Sequence, residues 1–441
     1  MSACPETAHH HLAFTKKDNM KDTNRRQFFK HTAAAAAAVP FAVHAADSDV
    51  IKIGLIGCGG RGTGAASQAL QADKHIKLIA MGDMFEDRLE KSFNTLRKVP
   101  KVGGKVDVPR ERQFVGWDAY EKVIASGVDC VLLTTPPQFR PAHLKAAIAA
   151  GKHVFAEKPV AVDAPGVRSV LETCKLARKK GLSVVSGLCL RYGNGFRAMM
   201  KRIHGGDIGE VHTLFANDYR GTIWHKERQP DWTDMHYQMR NWYYYTWLSG
   251  DFNVEQHVHY LDICAWAKGA YPVKAIGMGG RAVRSEAKYG NIFDHHSVVY
   301  EFADGARLVS NTRQIKGCKS DMSAQITGSR GRANINERRG GIYLEQSGKD
   351  RWTFEGEKNN FYQTEHDEMY AGIRAGKPLN NGQYMAQSTL LAIMGRMATY
   401  TGQQVTWPQA LNSKEDLTPP EYAWGDAPEA PIAVPGVTKL V

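Results

Sequence analysis

The seven cysteines of this 441-residue chain stand at positions 4, 58, 130, 174, 189, 264 and 318, with no Cys-x-x-Cys pair among them. That spacing excludes a zinc ribbon and offers no disulfide framework. Most of these cysteines sit in apolar runs, where a free thiol behaves as a small hydrophobe. A long basic run is also missing. The formal net charge is +12, but residues 1–45 carry six basic side chains against three acidic ones, which leaves about +9 on the remainder. Spread this thinly, the charge sets nucleic-acid binding aside and suits a mildly positive cleft for an anionic small molecule. No apolar stretch approaches the ~20 residues of a membrane-spanning helix, and no internal repeat is visible. At 43% hydrophobic and 23% charged residues the composition is that of a soluble globular protein, and the length suits two domains with extensions.

The first extension is an address label. Residues 24–30 read N-R-R-Q-F-F-K, followed by Ala33 to Ala38 and then V-P-F-A-V-H-A-A. A twin arginine, a short mild apolar stretch and small residues before a junction describe a twin-arginine export signal, cleaved near Ala45 or Ala46. Met20, which follows a polar stretch, is a second candidate start. A periplasmic or secreted protein is expected, and this route carries proteins that have already folded, often around a cofactor. It also accommodates unpaired cysteines in a protein bound for an oxidising compartment.

The next segment reads as a dinucleotide-binding unit. Residues 51–56, I-K-I-G-L-I, form a β-branched strand, and G-C-G-G-R-G follows, with Gly57, Gly59 and Gly62 in G-x-G-x-x-G spacing. A small-residue helix runs to Leu70, and a second strand, Ile76 to Met81, ends at Asp83. Strand, glycine triplet, helix, strand and terminal acid together make a specific signal. Gly57 permits the tight turn, Gly59 lets the backbone approach a pyrophosphate, and Gly62 lets helix and strand pack closely. Gly60 and Arg61 complete the loop, and the helix N-terminus offers N–H groups to phosphate. Asp83 would accept from the adenosine ribose hydroxyls and repel a 2′-phosphate, so NAD is expected over NADP; Arg88, a helical turn further on, is the counter-argument. Alternation continues through a strand at 128–134, a helix from about Pro141 to Ala150, a strand at 151–156, a helix from Gly166 to Lys180 and a strand at 182–187. This is a doubly wound parallel sheet. Thr135, Pro136, Glu157 and Lys158 fall at carboxyl ends of its strands, where ligands bind.

In A-G-K-H-V-F-A-E-K-P, together with T-P-P, G-L-C-L-R-Y and H-Y-L-D, the chain resembles the Gfo/Idh/MocA family over roughly residues 49 to 408. The resemblance implies a Rossmann domain followed by an α+β domain with a large open, mainly antiparallel sheet that covers the nicotinamide. It implies chemistry on sugars, polyols or their derivatives, and a homo-oligomer is expected. The boundaries that follow are 1–46 for the signal, 47–188 for the NAD domain, 189–410 for the substrate domain and 411–441 for a surface tail. The stretch R-N-W-Y-Y-Y-T-W-L-S-G-D and the export signal look like a secreted branch.

The resemblance places the catalytic lysine at Lys158, with a Lys158–Pro159 bond that is often cis in the family. A lysine at a strand end beside the cofactor can hold a reacting hydroxyl and stabilise alkoxide character. The family's Asp-x-x-x-His-x-x-Asp pattern is met by His259 and Asp262, while Glu255 takes the first aspartate's position. On a helix, 255, 259 and 262 share one face. His259 is then the candidate general base, Glu255 orients the substrate or joins the proton relay, and Asp262 holds local structure. On a strand, Glu255, His257 and His259 would share a face and could bind a metal; the following L-D-I-C-A-W favours a helix, and no metal is expected. Residues 224–247 contain four Trp and four Tyr, suited to stacking on pyranose rings. Arg191, Tyr192, Arg240, Asn241 and Trp242 are the candidate substrate-pocket residues. Beyond them, strands are expected at 211–219, 273–278, 297–302, 306–312 and 323–327, and helices near 364–375 and 384–402.

Overall fold

In the computed structural model, residues 49–336 and 341–441 are described; the twin arginine, Met20 and the cleavage region lie outside them. The first sheet is wholly parallel, with strands β1 (Ile51–Ile56), β2 (Ile76–Asp83), β3 (Gln113–Val115), β4 (Cys130–Leu133), β5 (His153–Ala156) and β6 (Val184–Ser186) in the order β3-β2-β1-β4-β5-β6. Its central strands are near-continuous apolar runs because both faces are covered: Ile53, Leu55, Leu132 and Phe155 are fully buried. The short strand β3 is a half-exposed edge that the apolar pattern does not reveal. The β6 edge is covered by a later segment, since Val184 N donates to Leu379 O and Ser186 N to Asn381 Oδ1.

The second sheet has nine strands: β7 (Val211–Arg220), β8 (Lys274–Gly280), β9 (His295–Glu301), β10 (Arg307–Gln314), β11 (Asp321–Gly328), β12 (Gly331–Asn336), β13 (Gly341–Gln346), β14 (Trp352–Thr353) and β15 (Val405–Thr406). Their order is β14-β13-β12-β11-β7-β10-β9-β8-β15, and only the β7–β10 pair is parallel. One face packs on the helices Val258–Lys268 and Gly382–Thr401; the latter is buried nearly all round and so carries no polar stripe. The opposite face shows Ile276 and Met278, 54% and 75% exposed. Strands β12 to β15 go beyond the sequence expectation. Among the described residues no helix is long and apolar enough to cross a membrane.

The expected surface tail is a fastened strap. Leu417 N donates to Asp163 Oδ2, Met235 N to Gly425 O, Gln238 Nε2 to Pro428 O and Gly436 N to Thr401 O. Tyr422 and Trp424 pack with tilted rings against Trp117 of the Rossmann domain.

Candidate active site

The glycine loop turns as its spacing requires, and each glycine is needed for a different reason. Gly57 has φ +98°, and a Cβ there would lie 2.6 Å from Thr135 N. A Cβ on Gly62 would lie 2.0 Å from Gly57 O and 2.5 Å from Thr134 Oγ1, so the helix could not pack on the loop. Gly59 has room in the protein itself, its nearest neighbour being Arg88 Nη1 at 3.6 Å. What it faces is a cavity of about 470 Å³, open at the start of the helix Gly60–Ala72. Asp83 lies at the carboxyl end of β2 on that cavity. It accepts from Cys58 N at 2.5 Å and Phe85 N at 2.9 Å, and each carboxylate oxygen keeps a second lone pair. Burial pushes this carboxyl up against the pull of those two N–H groups. Glycine cradle, helix N-terminus and ribose-facing acid fit an NAD cofactor: the loop, Thr135 and Pro136 would hold it, and Asp83 would take its ribose.

Beyond the cavity the strand ends are tied together. The buried Arg140 guanidinium donates to Thr135 O and to Pro159 O, joining the T-P-P and E-K-P segments. Arg61 Nε donates to Glu157 Oε1 at 2.6 Å, joining the glycine loop to the same segment. The Lys158–Pro159 bond is cis. Lys158 Nζ donates to Glu255 O at 2.6 Å and to Glu255 Oε1 at 3.1 Å. Burial pushes the Glu255 carboxyl up, with Lys158 opposing it. His259 is half-buried, and its Nδ1 has no partner among the described residues. Burial, then Lys158, Arg220 and His257 close by, hold it well below the usual imidazole range, so it stands neutral at pH 7. A fixed ammonium, a carboxyl pushed up and an imidazole pushed down therefore share one place. Such divergence separates acid from base roles.

The helix expected to carry residues 255, 259 and 262 on one face is broken. Phe252–Glu255 is one short helix and Val258–Lys268 another. At the break His257 N bonds back to Phe252 O, and its Nε2 pairs with Ser310 at 2.8 Å on the sheet. His257 is thus buried away from Lys158, and no metal-holding cluster exists among the described residues. Asp251, at φ +76°, caps the short helix and is itself held by His296, Tyr400 and Phe293 N. Burial works against its charge, but His296 and these donors keep its carboxyl below the ordinary range.

Residues 51–188 match the family described as "Oxidoreductase family, NAD-binding Rossmann fold", and residues 196–334 match the GFO/IDH/MocA C-terminal domain. The chain belongs to the Gfo/Idh/MocA oxidoreductase family. It is 27% identical over 200 residues to the 2,7-anhydro-N-acetylneuraminate hydratase of Escherichia coli, a match covering 45% of this chain and 50% of that protein. It is 30% identical over 159 residues to the inositol 2-dehydrogenase of Klebsiella pneumoniae strain 342, covering 36% and 43%. Against the myo-inositol 2-dehydrogenase of Thermotoga maritima it is 25% identical over 282 residues, covering 64% and 74%. The chain thus spans half or less of the first two relatives. The aldose-aldose oxidoreductase of Caulobacter crescentus shares the fold at TM-score 0.63 and 17% identity, covering 81% and 99%. GenD2 from gentamicin A biosynthesis, solved in complex with NAD, does so at 0.62 and 16%, covering 81% and 97%.

Within this Gfo/Idh/MocA frame the substrate-pocket candidates scatter. Arg191 forms a bidentate pair with Asp262, at 2.8 and 2.9 Å, stacked on Tyr384. Tyr192 is buried and bonds Asn381. Neither is free to reach a sugar; their polarity is spent on joining distant segments, and Asp262 holds structure as expected. Asn241 is fully buried and clasps the backbone of Lys226. Arg240 lies over Phe85 and pairs with Asp87, beside the Asp83 end of the cofactor cavity. Only Trp242 lines that cavity, with Trp224. Two neighbours of the Lys158–Glu255–His259 group escaped the sequence reading. Arg220 ends β7, pairs with Asp218 and acts on His259. Tyr243 is buried against Glu255 and bonds Gln314. Their contacts arise only when β7 and the aromatic segment close on the Rossmann domain, so local pattern carried no signal for them.

Proposed function

We propose that this protein is an NAD-dependent oxidoreductase acting on a hydroxyl of a sugar, glycoside or cyclitol. The observation that carries the reading is the meeting of Lys158 Nζ, Glu255 and a neutral His259 at the carboxyl ends of the parallel strands. When bound, NAD supplies the hydride acceptor. Lys158 donates a hydrogen bond to the reacting oxygen and holds it, and His259 takes the alcohol proton through its free lone pair. Glu255 orients Lys158 and can pass the proton outward. The inositol dehydrogenases among the relatives support this substrate class.

A second reading is redox-neutral cleavage of a glycoside or related bond, with the cofactor recycled inside the site. The leader motivates it: in the periplasm or outside the cell there is no evident pool of NAD to exchange with. The name of the Escherichia coli hydratase, a reaction without net oxidation, points the same way. Export of the folded, loaded protein belongs to this proposal, as does self-association through the exposed face of the nine-stranded sheet.

The test is to purify the protein without added cofactor and assay a panel of glycosides and polyols for both NADH and released aglycone. Copurified NAD with aglycone release and no stoichiometric NADH selects the redox-neutral reading. Apo protein that needs added NAD and yields one NADH per product selects the simple dehydrogenase. Neither product with any member of the panel would sink both.

A further inference from the structure

The cofactor cavity has one wall that does not come from the Rossmann domain. Residues 221–233 leave the end of β7 without regular structure, and Trp224 and Lys226 from this stretch line the cavity opposite the glycine loop. Lys226 is gripped at its backbone. Its N–H donates to Asn241 Oδ1 at 2.9 Å, and its carbonyl accepts from Asn241 Nδ2 at 3.0 Å. Asn241 is wholly buried, and the same Nδ2 also donates to Tyr237 O. A two-way amide clasp on an irregular segment fixes where the lysine starts, and so which space its side chain sweeps.

That space holds more cations than acids. Of the residues lining the cavity, Arg61, Arg88 and Lys226 are cationic, and Asp83 alone is acidic. Arg61 is neutralised by Glu157, and nearby Arg240 by Asp87. The Asp83 oxygens already hold two backbone N–H groups. Arg88 and Lys226 have no ion pair among the described residues, and the buried Arg88 Nε has no hydrogen-bond partner. Desolvation and then Arg88 and Arg240 push the Lys226 ammonium down, with Asp87 opposing them, as expected where cations outnumber the acids beside them. Arg88 Nη1 lies 3.6 Å from the position of a Cβ on Gly59, the glycine whose openness admits a pyrophosphate.

We infer that Lys226, placed by Asn241 and paired with Arg88, closes on the cofactor's diphosphate from the substrate-domain side. The diphosphate is then enclosed between the N-terminus of the helix Gly60–Ala72 and a two-cation clamp. Retention of the dinucleotide thereby depends on a residue outside the Rossmann domain. The alternative anion, a 2′-phosphate, would have to sit beside the Asp83 carboxylate.

The experiment compares the full chain with Lys226→Met and Lys226→Arg, each freed of nucleotide, by calorimetric titration with NAD, ADP-ribose, adenosine and NADP. The Lys226 ammonium has no hydrogen-bond or ion-pair partner among the described residues, so the thermal midpoint should be unchanged in both variants. Lys226→Met should weaken NAD and ADP-ribose alike, by about tenfold at low salt, the scale of one charge-assisted contact at an open cavity mouth. Adenosine, which lacks phosphate, should be unaffected. Lys226→Arg should stay within about twofold of the parent, and the deficit of Lys226→Met should shrink as salt rises. Unchanged ADP-ribose affinity in Lys226→Met, or a loss confined to NADP, would overturn the inference. A parent that binds none of these nucleotides would overturn the cofactor assignment and the clamp with it.

Discussion

Two glycines three residues apart should respond in opposite ways to the same added methyl group. In Gly62→Ala the new Cβ falls 2.0 Å from Gly57 O and 2.5 Å from Thr134 Oγ1. The first of these is backbone at the tightest point of the loop, so the helix Gly60–Ala72 must move. Overpacking of this kind costs about 1–3 kcal/mol, and NAD binding should fall as a by-product of the displaced loop. In Gly59→Ala the Cβ meets nothing within 3.5 Å, and the residue has φ −71° and ψ −178°, which alanine adopts freely. Loss of unfolded-state freedom should leave this variant as stable as the parent, or up to about 1 kcal/mol more so. Its methyl group, however, stands where the diphosphate approaches, and affinity for NAD should drop by about tenfold or more. Thermal unfolding followed by circular dichroism, with and without NAD, separates the two. Gly62→Ala should melt lower in both conditions, whereas Gly59→Ala should melt like the parent without NAD and lose the upward shift that NAD confers. The reasoning is refuted if Gly59→Ala binds NAD as the parent does, or if it is destabilised as much as Gly62→Ala.

Three further outcomes are expected. Asp83→Ala should erode a preference for NAD over NADP, measured as the ratio of their dissociation constants; comparable affinities in the parent would defeat the assignment. Lys158→Ala and His259→Ala should each lower turnover by ~10²-fold or more while NAD still binds, and a chelator should leave the parent's activity intact. In Lys158→Met the His259 ring should titrate at higher pH than in the parent, closer to its ordinary 6.5, because one of the charges that disfavours its protonation is gone. Histidine NMR, with His259→Gln to assign the resonance, reads this directly, and a downward or absent shift would contradict the placement of Lys158.

The parallel sheet and the cofactor loop were legible because each rests on a local rule: apolar β-branched runs for buried strands, and three glycines with separate steric duties. Glu255 and His259 were legible as a pair through spacing, and Lys158 through the resemblance at E-K-P. The helix between them was not, because its break comes from outside: His257 is drawn to Ser310, 53 positions along the chain. Two polar residues of the G-L-C-L-R-Y stretch misled for a similar reason. Arg191 and Tyr192 look like ligand-binding groups until Asp262 and Asn381 arrive from 71 and 189 positions away. The tail gave no sign of its role as a strap, since prolines and scattered aromatics have no period to read. Its anchors are single hydrogen bonds to widely separated partners.

Asp251 is the one non-glycine residue at positive φ among those described, and this bears on any effort to make the protein more robust. Screens for thermal tolerance favour replacements that remove backbone strain, and glycine at 251 would relieve it. The carboxylate they remove is the one on which Tyr400, His296 and Phe293 N converge, four residues ahead of Glu255. Removing it would leave those buried donors unsatisfied, a cost that exceeds the strain relieved, so even a library selected on heat alone should retain the strained aspartate.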